Sequence, residues 1–121
     1  MASLRSKKTS EKYKKYKANV LPQNQCGLCK KEQEKLLKEF KYWRILDNLF
    51  PWDRIAKVNH LLVPKKHIVE KHLTESARKE LEFIKSTYVN DNYELMAEAT
   101  HKKKSIPEHF HMHLIVIKDR I

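Results

Sequence analysis

The chain has 121 residues, 40% of them hydrophobic, and a formal net charge of +11. That length suits one domain that buries its own core without a disulfide framework. No run approaches the roughly 20 apolar residues of a membrane span, and the basic start lacks the apolar centre of a secretory signal, so a cytoplasmic protein with reduced or metal-bound cysteines is expected.

Residues 1–20 read as a flexible basic tail, with Arg5, Lys7, Lys8, Lys12, Lys14, Lys15 and Lys17 set against Glu11 alone and some helical tendency around Tyr13 and Tyr16. Such a run is commonly a solvated face; its alternative use is to hold nucleic acid or another anionic surface. Residues 21–121 are the expected domain. Pro22, a Gln/Asn stretch and the single glycine, Gly27, mark a loop that carries Cys26 and Cys29. Lys30–Phe40 is rich in helix formers, with Leu36, Leu37 and Phe40 on one side, and predicts a helix.

Residues 41–46 (KYWRIL) alternate as a strand does, and DNLFPWD reads as a turn around Pro51. AKVNHLLVPKKH has a β-type centre that Pro64 should close. LTESARKELEFIKSTYV is the clearest helix, with Thr74 as N-cap and Leu73, Ala77, Leu81 and Ile84 as its apolar stripe. NYELMAEA predicts a strand, THKKKSIPE a basic loop and HFHMHLIVIK the last strand. The order helix, two strands, helix, two strands predicts an α+β domain with helices against a mainly antiparallel sheet.

The last strand is the most informative. His109, His111 and His113 alternate with Phe110, Met112 and Leu114, so on a strand the imidazoles share one face and the apolar residues the other. Ile115 and Val116 continue the apolar run, which predicts burial on both faces further along. Solvent-facing strands usually carry Lys, Glu or Thr at such positions, and three histidines point instead to a metal site or to phosphate or proton chemistry. Side chains at i and i+4 start roughly 13 Å apart, far for one ion, so a line of separate tasks fits a strand better.

Cys26-x-x-Cys29 has three readings: a redox pair, half of a zinc site, or coincidence. The βαβ setting of a redox pair is missing. A zinc site needs two further ligands, for which His60, His67, His72 and the strand histidines are available. In HLLVPKKHI, residues 60–68, Lys65 and Lys66 either draw a polyphosphate or form a solvated turn.

Together these blocks resemble the histidine-triad (HIT) family of nucleotide hydrolases and transferases. Cys26-x-x-Cys29, HLLVPKKHI and SIPEHFHMHLIV (105–116) stand in the family's order and frame most of the chain; residues 1–20 lie outside. The resemblance implies a HIT-like α+β domain with a central antiparallel sheet, commonly a homodimer, holding a nucleotide or nucleoside phosphoramidate. It implies that His111 attacks the α-phosphorus to form a nucleotidyl-histidine, its Nδ1–H held by a backbone carbonyl near His109, while His113 donates to the leaving group or bridges its oxygen. Ser105 matches a serine that helps bind phosphate. The zinc-bearing relatives imply structural Zn2+ on Cys26, Cys29, His67 and His109.

The chain departs from the family in two places. Relatives have one more residue between the strand histidine and the proline, so either Asn59 or His60 takes that position, and one residue changes the face of a strand. The loop ahead of the triad is ATHKKKSIPEH, with Glu108 inserted and Lys102, Lys103 and Lys104 where relatives carry glycines and an asparagine, which assigns phosphate binding to Lys104 and its neighbours. Two rival readings go with this one. The first is a non-enzymatic zinc-stabilised module that binds nucleotides or nucleic acid through the basic segments. The second is a metal-dependent hydrolase with the three histidines as ligands.

Overall fold

Three apolar runs make the middle of a five-stranded antiparallel sheet in the computed structural model, which describes residues 3–19, 35–100 and 109–120. The strands are β1 (Leu36–Glu39), β2 (Trp43–Asp47), β3 (Ala56–Pro64), β4 (Leu95–Ala97) and β5 (Met112–Ile117), in the order β1-β2-β3-β5-β4. With the helices below, this is the expected HIT-like α+β arrangement. β2, β3 and β5 carry the buried residues of the sheet and lie inside it; β1 and β4 are short edges, and all four residues of β1, Lys38 and Glu39 among them, are exposed.

β1 corrects one expectation. Leu36–Glu39 lies in the segment read as a helix, yet it pairs with β2 through Leu36↔Leu46, Lys38↔Ile45 and Glu39↔Arg44. Phe40 N–H donates to Trp43 O at 2.8 Å and closes the hairpin. The gain from pairing with a buried neighbour exceeds the few tenths of a kcal/mol per residue by which these side chains favour a helix. The rest of that expectation, residues 30–34, lies outside the described residues.

The predicted long helix forms as α2 (Glu75–Ile84). Thr74 caps it, its hydroxyl accepting from Ala77 N–H at 3.1 Å. Ala77, Leu81 and Ile84 turn inward with Leu73 and meet Trp43, Ile45, Leu62, Phe110 and Leu114 in the main core. Trp43 Nε1–H reaches Ala77 O at 2.8 Å, so the largest core side chain is anchored as well as packed. A π-turn (Lys85–Val89) and a last helical turn, α3 (Asn90–Asn92), lead into β4. Leu46, Leu61 and Val63 form a second cluster.

The histidine strand begins later than expected. β5 starts at Met112, so His113 lies in it while His109 and His111 precede it. The alternation still holds: Phe110, Met112 and Leu114 belong to the α2-side core. Leu114 and Ile115 are both fully buried, as the apolar run predicted.

The segment read as a tail carries a helix, α1 (Lys7–Asn19), seated on the 48–54 loop. Asp53 is the clamp: its carboxylate accepts from Ser6 N–H at 2.6 Å, from Ser6 Oγ at 2.9 Å and from Thr9 Oγ1 at 2.6 Å. Tyr13 and Tyr16 pack on Phe50, ring centroids 5.0 and 5.1 Å away. Among the described residues no helix is long and apolar enough to cross a membrane.

Candidate active site

The β3–β5 register sets Leu61 opposite His113 and Asn59 opposite Ile115. Asn59 and Leu61 are two residues apart, so both turn to the face of His113. The side chain of Asn59 is buried, and its Oδ1 accepts from Trp52 N–H at 2.8 Å and from Asn48 Nδ2 at 3.2 Å. A backbone N–H can only donate, which fixes the orientation of the amide. Nδ2 therefore faces His113 Nδ1, 3.1 Å away, as donor. His113 Nδ1 must accept, so the proton of the neutral ring sits on Nε2.

The ring is neutral. Burial above all, then the neighbouring His111 and Arg5, pushes the His113 pKa down to about 3. Trp52 completes this environment by stacking on His113 at 3.6 Å between centroids and 20° between planes.

His111 has the opposite tautomer. Its Nδ1 lies 3.0 Å from His109 O, and a carbonyl only accepts, so Nδ1 carries the proton and Nε2 the lone pair. The expected Nδ1–H to carbonyl bond is thus present, with His109 itself as acceptor. The two rings are 5.7 Å apart at 65°. Side by side stand an imidazole with a nucleophilic Nε2 and an imidazole with an Nε2–H donor.

His109 is fully buried and does something else. Its Nε2 lies 3.0 Å from Pro64 O, which places the proton there and the lone pair on Nδ1. Burial, outweighing the Pro64 bond, and the charges of His67, His111 and Arg44 push its pKa down to about 4. His67 stands edge-on to it, ring centroids 5.0 Å apart. A neutral imidazole whose second nitrogen is tied to a backbone carbonyl is the form a metal ligand takes, so His109 could act as one. Among the described residues no group of three His, Cys, Asp or Glu could hold a metal, and Cys26 and Cys29 lie outside them. Lys104 and Ser105 also lie outside the described residues.

The choice between Asn59 and His60 is decided by the pleat. His60 points to the opposite face, where its Nδ1 meets Tyr93 Oη at 2.7 Å and the rings stand edge-on. Burial, opposed by Asp47, lowers the His60 pKa, and burial together with Tyr88 pushes Tyr93 up to about 12. His60 is thereby removed from the triad face. Lys65 pairs with Glu39 at 3.1 Å, and Lys66 is exposed.

Sequence reasoning passed over Asn48, Trp52 and Arg5. The first two sit in a segment read only as a turn, where a tryptophan beside a proline was the available signal. Arg5 donates from Nε to Phe50 O at 2.7 Å and acts electrostatically on His113. Its place follows from α1 docking, which no local pattern announces.

No protein-family model matches the chain, and no curated protein does. Solved structures do resemble it. A HIT family hydrolase from Clostridium thermocellum superposes with a TM-score of 0.56 at 18% identity, covering 81% of this chain and 95% of the other. A histidine triad protein from Clostridium difficile gives 0.57 at 15% identity, with 84% and 96% covered. A HIT family hydrolase from Legionella pneumophila gives 0.53 at 20% identity, with 76% and 92% covered. These likenesses define the class of the fold: the chain has the HIT-like α+β architecture.

Proposed function

We propose that this protein is a nucleotidyl hydrolase or transferase acting at the α-phosphate of a nucleoside phosphoramidate or small nucleotide. The observation that carries the reading is the pair of complementary tautomers, His111 with its proton on Nδ1 and His113 with its proton on Nε2. His111 Nε2 attacks phosphorus, and a P–N bond forms as the bond to the leaving group breaks. His113 Nε2–H donates to the leaving atom and passes it a proton as that bond breaks, and His113 regains a proton from the water or other acceptor that opens the nucleotidyl-histidine. Water or another acceptor then opens the nucleotidyl-histidine and restores His111. Asn59 touches neither bond and acts by positioning His113.

Zinc belongs to this proposal as a structural ion. His67 and His109 would supply two ligands and Cys26 and Cys29 the others, tying the N-terminal loop to the base of the histidine strand. Its chemistry there is to hold the fold, and no catalytic step passes through it.

The test is turnover of a fluorogenic nucleoside phosphoramidate by wild type and His111→Ala, with folding checked by circular dichroism. A loss of at least about a thousandfold in the variant is expected. Equal turnover in both removes His111 as nucleophile.

A further inference from the structure

Helix α1 has two sides of different character. Thr9, Tyr13 and Tyr16 are half-buried and engaged with the 48–54 loop. Lys7, Lys8, Lys12, Lys14 and Lys15 are exposed, with Glu11 as the one acid among them. At 3.6 residues per turn Lys7, Lys14 and Lys15 fall opposite the docked side, Lys8 and Lys12 lie along its flank, and Glu11 stands between them. Their charge is therefore presented on a helix clamped in place by Asp53, and the ordering cost is met before any partner arrives.

The helix also starts against the loop whose Trp52 stacks on His113. Arg5, just ahead of it, is bound to Phe50 O and lies over the Tyr13 ring at 4.7 Å. Asp53, which holds Ser6 and Thr9, directly follows Trp52, which stacks on His113.

We propose that the exposed face of α1 binds the phosphate backbone of a single-stranded nucleic acid; the choice of this polyanion rests on the nucleotidyl reading of His111 and His113. Lys7 to Lys15 spans roughly 12 Å at 1.5 Å per residue, the length of about three to four phosphates at ~3.4 Å each along a stacked strand. An anionic membrane fits less well. A surface-lying amphipathic helix must insert an apolar side, and in α1 the aromatic side is already spent on Phe50.

The experiment is fluorescence anisotropy of the full chain with a short fluorescein-labelled single-stranded DNA, titrated at several salt concentrations. Wild type is compared with a variant carrying Lys7, Lys8, Lys12, Lys14 and Lys15 all changed to Gln, which keeps helix propensity. Wild-type affinity should fall with salt at a log–log slope near −0.7 per phosphate engaged, about −2 to −3 here. The variant should bind at least about tenfold more weakly, with a shallower slope and an unchanged circular dichroism spectrum. The glutamine variant should turn over the fluorogenic nucleoside phosphoramidate within about threefold of wild type, so loss of the chemistry and loss of the docking face are read separately. Equal binding by wild type and the glutamine variant overturns the proposal. So does competition by polyglutamate as effective as by unlabelled DNA, or tighter binding to phosphatidylserine vesicles than to DNA.

Discussion

His113 has two ring nitrogens and one proton at neutral pH, and Asn59 settles which nitrogen holds it. The amide is held by Trp52 N–H and Asn48, so it cannot turn to offer its oxygen. Asn59→Asp tests this with a nearly isosteric change. A carboxylate only accepts, so the His113 proton is expected to move to Nδ1, and the negative charge should raise the His113 pKa from about 3 toward the ordinary range. Nitrogen chemical shifts of the ring report the tautomer directly. Turnover at pH 7 should fall about 10- to 100-fold, because the donor no longer faces the leaving group. An unchanged tautomer would show that Asn59 does not set it.

α1 and α2 are held in different ways. α2 is a core element, capped by Thr74 and packed through Ala77, Leu81 and Ile84. α1 hangs on the Asp53 carboxylate, two tyrosines and the bonds that Arg5 makes to Phe50 and Arg54 makes to Ser3 and Leu4, so its docking is local. Burial works against the ionised form of Asp53, but the bonds from Thr9 and Ser6 outweigh it and hold its pKa below the usual value. With the folded pKa depressed, that contribution is complete above the ordinary carboxylate range and is lost as pH falls through the folded pKa. Asp53→Ala should therefore release α1 while the sheet stays intact. Hydrogen exchange should show α1 amides at least about tenfold less protected and β3 amides unchanged. Loss of protection throughout would mean that the clamp is needed for the whole fold.

At the scale of the molecule, two histidine pairs gather along the β3–β5 pair. His113, beside His111, meets Asn59 and Trp52, while His109 and His67 meet at the Pro64 end. If a structural zinc occupies the second, chelation should lower the melting temperature by at least about 5 °C, and one equivalent of Zn2+ should restore it. A melting temperature indifferent to chelator, in protein shown to be metal-free, would leave His67 and His109 as a packing pair.

Periodicity alone carried much of this molecule. The apolar runs of β2, β3 and β5, the stop at Pro64, the Thr74 cap and the alternation of histidines with Phe110, Met112 and Leu114 are local patterns, and a side chain's face follows from its position in a repeat. Three things needed the tertiary structure. Leu36–Glu39 became a strand because a neighbouring strand outbid its helix propensity. Asn59 rather than His60 met the triad because register, fixed by pairing with β5, selects the face. The basic segment took its place on the 48–54 loop because Asp53, more than thirty residues along the chain from α1, supplies the acceptors that Ser6 and Thr9 need. Local sequence specifies which groups can pair; only the folded chain brings distant partners within hydrogen-bonding reach.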